Sequence, residues 1–288
     1  MLKSSIWIIV AAAAVVSVAV QDSVLLRREL KPNTTTTYAI ESKINTKLEV
    51  PGMGPQEMDV TTSMKQAIRI KDVDEKGIAN VEFVVTDMKT EFGGEMGQMM
   101  AGMAGDMPTT FTQTGRMDNR NRVTDMRFSG VNAMAQMMGA GSSANTVMIE
   151  FPENPVRVGD VWDVVVPPNP MLGNKPHKLQ ARFVGLRTVD GVELADMTIK
   201  GTIEYSVDMA EMMRATGGND PTGGMMAGMR MTMSARMTVD GTVSVERATG
   251  IIVTAVTNLK MDQTTELTDM GMQIPATSTG TVTMKLVR

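Results

Sequence analysis

The feature that most constrains the fold is a set of long segments in which apolar and polar side chains alternate with a period of two. Tyr38, Ile40, Ser42, Ile44, Thr46, Leu48 and Val50 alternate with Ala39, Glu41, Lys43, Asn45, Lys47 and Glu49. Successive side chains of a strand point to opposite faces, so this is a strand with one face buried and one wet. Residues 51–55, Pro-Gly-Met-Gly-Pro, break it with turn residues. Met58, Val60, Thr62, Met64, Ile68 and Ile70 then resume the alternation, which makes an antiparallel hairpin. Asp74-Glu75-Lys76-Gly77 turns the chain into a third strand over 78–89.

The second half has the same style. A strand over 179–189 turns at Asp190-Gly191 into one over 192–207. A strand over 229–239 is expected to turn at Asp240-Gly241, Thr249-Gly250 precedes a strand over 251–261, and the last strand covers 280–287. Long amphipathic strands with short links predict a mainly β (α+β) protein. Its long curved antiparallel sheet is half-barrel-like, one face wrapped around something apolar. Met99-Met100-Ala101-Gly102-Met103 recurs as Met225-Met226-Ala227-Gly228-Met229, and at the same offset Gly115 meets Gly241, each expected to open a turn. This suggests two related halves, residues 20–150 and 151–288.

Ahead of them stands a leader. Met1-Leu2-Lys3-Ser4-Ser5, an apolar run over 6–16 and Ser17-Val18-Ala19 have the layout of a secretory signal peptide over 1–19. The expectation is export to the periplasm or beyond. No later apolar run approaches the roughly 20 residues of a membrane-spanning helix, so membrane contact without spanning is the most that is expected.

Composition excludes several chemistries. With no cysteine there is no disulfide, thiolate nucleophile, Cys-based metal site or lipobox. The single histidine, His177, would have to serve any Ser-His-Asp triad, and no Gly-x-Ser-x-Gly elbow supplies its serine. A net charge of −4 without a basic cluster does not suit nucleic acid. No enzyme activity and no cofactor are expected.

What the chain has instead is 31 methionines. Met96/Met99/Met100, Met134/Met137/Met138 and Met209/Met212/Met213 share the spacing Met-x-x-Met-Met, which places three thioethers on one face of a short helix. Met229, Met231, Met233 and Met237 have strand spacing and predict a stripe facing the interior. Three readings follow. Methionine fills a core that has only 3% aromatic residues. Alternatively Met96, Met99, Met100 and Met103 bind Cu(I), which soft thioethers suit. Or flexible methionines form an adaptable apolar surface for a lipid-like ligand, with Met99, Met100, Met103, Met229, Met231, Met233, Met237 and Trp162 as the candidate contacts.

The segment Pro155-Val156-Arg157-Val158-Gly159-Asp160-Val161-Trp162 resembles a signature of a family of exported bacterial proteins of unknown function, in which Pro-Val-(Lys/Arg)-Val-Gly-Asp-x-Trp stands mid-chain. That resemblance implies export and a β-rich fold but no activity and no catalytic residues. Read physically, Val158-Gly159-Asp160 is a tight turn that starts a strand, with Trp162 locking the join between halves. The curved sheet is also similar to the half-barrel periplasmic lipoprotein carriers. The preferred expectation is a non-enzymatic carrier of a hydrophobic small molecule or lipid. A Cu(I)-binding protein and a structural or envelope-interaction module are the alternatives.

Overall fold

The computed structural model describes residues 23–52, 54–94, 96–98, 109–129, 149–169, 172–208 and 230–288. The leader, Met99, Met100, Met103 and Met229, and nearly all of the three Met-x-x-Met-Met segments, lie outside the described residues. Of the first such segment, Met96, Gly97 and Gln98 are described and helical, as is Gly94 just before it.

Eleven strands form one sheet. They are β1 Thr34–Val50, β2 Gly54–Val73, β3 Ala79–Gly93, β4 Phe111–Met117, β5 Val123–Ser129, β6 Val161–Val166, β7 His177–Val189, β8 Val192–Asp208, β9 Met231–Glu246, β10 Ile252–Leu267 and β11 Met272–Val287. Their order is β5-β4-β3-β2-β1-β11-β10-β9-β8-β7-β6, and the pairings are antiparallel. The sheet is curved and unclosed, a meander whose first and last strands pair in the middle at the β1–β11 ladder and whose edges are β5 and β6. Strands from residues 20–150 and from 151–288 therefore share a single sheet.

The alternation sets the facing. On β1, Tyr38 and Ile40 are buried and Ile44 and Leu48 half-buried on one face, while Glu41, Lys43 and Lys47 are exposed on the other. The inner faces of nearly all the strands join one apolar core, including Tyr38, Phe83, Phe111, Met117, Phe183, Met197, Val243 and Met284.

Two turn expectations fail. Asp240 and Gly241 lie inside β9, with Gly241 opposite Ile199 and Thr257. A Cβ on Gly241 would stand 2.8 Å from the Val256 carbonyl oxygen, so glycine is there to let the neighbouring backbone approach. Gly115 lies inside β4, where a Cβ would meet Met126 Sδ at 2.7 Å; the turn comes later, at 118–122. The last strand likewise begins at Met272, and Gly280 lies within it.

One end of the curved sheet is sealed by two chain segments. Val24 exchanges backbone hydrogen bonds with Val156, the N–H of Arg28 donates to the Asn119 carbonyl, and that of Glu29 to Thr249. The Arg27 guanidinium donates to the carbonyls of Pro152 and Glu153. Residues 24–29 thus form a strap from the β4–β5 turn to the β9–β10 turn. The segment 149–156 runs beside it, tied to β5's side by Arg120, which bonds the Phe151 carbonyl and pairs with Glu150 at 3.0 Å. Leu26, Ile149 and Phe151 are buried beneath.

The Val158-Gly159 turn is present and its chemistry is legible. Gly159 has φ +94, which favours glycine. The Asp160 carboxylate accepts from the Arg157 N–H at 2.8 Å, and backbone bonds link Gly159 and Asp160 to Phe183. Trp162 then donates its indole N–H to the Glu150 carbonyl at 2.8 Å, holding β6 to the sealing segment.

Candidate functional site

Burial along the inner face changes from one end to the other. At the sealed end Tyr38, Val85, Met117 and Met284 are fully buried. Toward the other end Leu48, Val50, Met58, Met231, Met233, Met237, Leu259, Met261, Leu267, Met272 and Ile274 are all only half-buried, although they occupy the same inward register. That end is the mouth.

Strand pairing assembles the mouth row by row. Met237 stands directly opposite Met261, and the row continues through Ser278 and Thr46 to Met58. The Thr46 and Ser278 hydroxyls are 2.9 Å apart, and the Tyr205 hydroxyl donates to Met261 Sδ at 3.4 Å. Burial raises the Tyr205 pKa, keeping that hydroxyl a donor. Further out, Met233 faces Thr265, and Leu267 pairs with both Met231 and Met272. Flexible thioethers beside a few hydroxyls make an apolar, adaptable lining with sparse polar points.

Of the expected contacts, Met231, Met233 and Met237 stand on this inner face, and Met229 lies outside the described residues. Met96 is half-buried. Trp162 is on the edge strand β6, its N–H engaged by Glu150, apart from the methionine rows. Met58, Met261 and Met272 belong to the lining and were not singled out beforehand. The signal for them was available, because each continues a two-residue alternation in its own strand.

His177 is tied to the backbone of the loop before β7. Its Nε2 donates to the Leu172 carbonyl at 2.9 Å, with no serine or carboxylate hydrogen-bonded to the ring among the described residues. The outer face is charged, with pairs such as Lys47–Glu57 at 2.8 Å and Lys200–Asp240 at 3.0 Å. Such a surface is unlike the apolar band of a lipid-facing barrel. Among the described residues no helix is long and apolar enough to cross a membrane. A depression of ≈ 770 Å³ on this outer side is lined by Glu41, Lys65, Asp87, Lys89 and Lys285 together with Ala39, Ile40, Met64 and Met88.

No family model matches the chain, and no curated protein matches it. Solved structures give distant likenesses. A lipovitellin structure concerned with lipid–protein interactions has 11% identity and TM-score 0.47, covering 90% of this chain and 26% of its own. The chain thus spans about a quarter of that protein's length. OpdQ of Pseudomonas aeruginosa has 4% identity and TM-score 0.25, covering 88% of this chain and 98% of its own. A DUF1329 family protein from Desulfovibrio piger has 9% identity and TM-score 0.15, covering 89% of this chain and 87% of its own.

Proposed function

We propose that the protein is an exported, non-enzymatic binder or carrier of a hydrophobic, lipid-like ligand, held on the inner face at the methionine-lined mouth. The observation that carries this is the contrast between the two faces and the two ends. The outer face is paired charge, the sealed end is packed, and the mouth presents half-buried Met, Leu, Val and Ile on facing rows. Apolar area still partly in water at such a site gains about 25 cal/mol per Å² when a ligand covers it.

A second reading has one supporting feature. The Met237–Met261 cross-strand pair sets two thioethers opposite each other, a start toward a Cu(I) site.

One experiment separates them. Met231, Met233 and Met237 are replaced by Leu, which keeps volume and apolarity and removes the sulfur. The carrier reading expects saturable binding of a fluorescent fatty acid that weakens only modestly in the triple variant, and poor competition with a strong Cu(I) chelator. Tight stoichiometric Cu(I) uptake lost in the variant would favour copper. Absence of both would leave a structural module. Export is tested separately: the mature chain recovered from the cell envelope is expected to begin at Val20.

A further inference from the structure

The sealed end holds a buried cation with no carboxylate paired to it among the described residues. Arg28 is 3% exposed. Its guanidinium donates to Thr36 Oγ1 at 3.1 Å and, at the long distance of 3.5 Å, to the Tyr38 hydroxyl. Its Nε has no partner, and no carboxylate pairs with it among the described residues. Two half-buried arginines differ: Arg120 has Glu150 at 3.0 Å and Arg116 has Asp74 at 2.5 Å. A guanidinium stays charged at any ordinary pH, so it cannot escape burial by losing its proton. Held only by neutral hydroxyls, it is a strongly unfavourable arrangement unless something negative joins it.

A second set of orphans lies in the same part of the fold. Gln113 is 1% exposed, and neither its Oε1 nor its Nε2 has a partner. It belongs to the cross-strand row of Thr36, reached through Ile68 and Phe83. Asn121, also buried, leaves its Oδ1 unpaired in the turn next to Asn119, the residue that anchors the Arg28 backbone. Buried polar atoms are nearly always satisfied, so several orphans at one end of a molecule point to a missing occupant.

The geometry points to a carboxylate-binding site at Arg28, with the planar fork of the guanidinium taking the two carboxylate oxygens and the Thr36 and Tyr38 hydroxyls beside it. Fork-to-carboxylate pairing is the strongest arrangement open to this side chain. The carboxylate is either a free small acid or the head of the hydrophobic ligand, and the second form rests on the carrier reading. The layer between Arg28 and the mouth suits that form. Ile40 pairs with Met64 and with Met284, and the row continues through Ala255 and Val243 to Met197. Three methionines in one layer are deformable enough to let a chain pass. From Tyr38 to Thr46 the wall rises roughly 26 Å, so a chain headed at Arg28 would run toward the Met58–Met237 row.

The test uses oleate, methyl oleate and acetate with the leaderless protein, Arg28→Met and Tyr38→Phe. If the head group of the ligand fills the site, oleate binds at least tenfold more tightly than its methyl ester. Arg28→Met abolishes that preference while still binding the ester, and Tyr38→Phe reduces it. If a free acid fills the site, acetate raises the melting temperature of the wild type and of neither the Arg28→Met protein nor, in full, the Tyr38→Phe protein, while oleate and ester bind alike. Equal binding of oleate and ester with no acetate effect overturns the site and leaves the carrier reading standing. Failure of both oleate and ester to bind overturns the carrier reading, and the acetate response then decides the site alone. Should Arg28→Met not fold, the Tyr38→Phe comparison carries the same decision.

Discussion

Glycine shows how differently one residue type is used along this chain. Gly191 has φ +79 and open space around the place of a Cβ, so it serves only the left-handed turn between β7 and β8. Gly250 has φ +64, but a Cβ there would also press into the Arg27 carbonyl and the Arg28 Cα of the sealing strap. Gly191→Ala should cost about 1–2 kcal/mol, the left-handed penalty alone. Gly250→Ala should cost that plus about 1–3 kcal/mol of overpacking, read from denaturant midpoints of the two variants. Equal losses would mean the strap does not rest on Gly250. A charged residue gives a pH prediction. Asp74 accepts the Ile78 N–H and, next, the Lys76 N–H, with Arg116 nearby, and these hold its pKa below the ordinary carboxylate value. A carboxylate lowered by folding contributes stability above its unfolded pKa and loses it as pH falls through the folded value. Asp74→Asn should therefore flatten the acid side of the melting-temperature profile, the two proteins converging at low pH.

Strands differ in how far they could be read from the chain. In β1, β2, β7 and β8 the alternation, broken by Pro-Gly, Asp-Gly and similar turns, places both the strand and its facing, because period and turn chemistry are local properties. Asp240-Gly241 misleads because a turn signal and a close-approach glycine use the same residue; what separates them is the neighbouring Val256 backbone, which no local pattern contains. The strap over 24–29 is invisible for the same reason. Its burial depends on Asn119, Val156 and Thr249, far away in sequence. No local pattern marks Arg28 as buried, whereas the methionine stripe of β9 is legible because it keeps strand period. The facing of β1 is directly testable. Ile40→Asp puts a carboxylate at a position 2% exposed and should cost several kcal/mol. Lys43→Gln on the wet face breaks only an exposed pair with Glu41 and should stay within about 0.5 kcal/mol. Similar shifts in urea melts would reverse the assignment.

At the scale of the molecule, the decisive connection is the one between the first and last strands. The first half contributes β1 and the last strand is β11, and they pair from Thr37↔Val287 to Leu48↔Ala276. Side chains from β1, β3, β8 and β9 enter the same core cluster, and the strap binds turns on both sides. Neither half can lose its strands without exposing the inner face of the other. A sheet built this way should unfold in one cooperative step. Without the leader, Trp162 is the single tryptophan, and it lies on the β6 edge, six strands from β1. Its fluorescence transition in denaturant should coincide with the far-UV circular dichroism transition. Ile40→Asp should shift both midpoints equally, although it sits in the other half of the chain. A tryptophan transition that stays in place while the dichroism splits would mean that residues 20–150 and 151–288 fold as separate units. The β1–β11 ladder would then be a docking contact rather than the spine of one sheet.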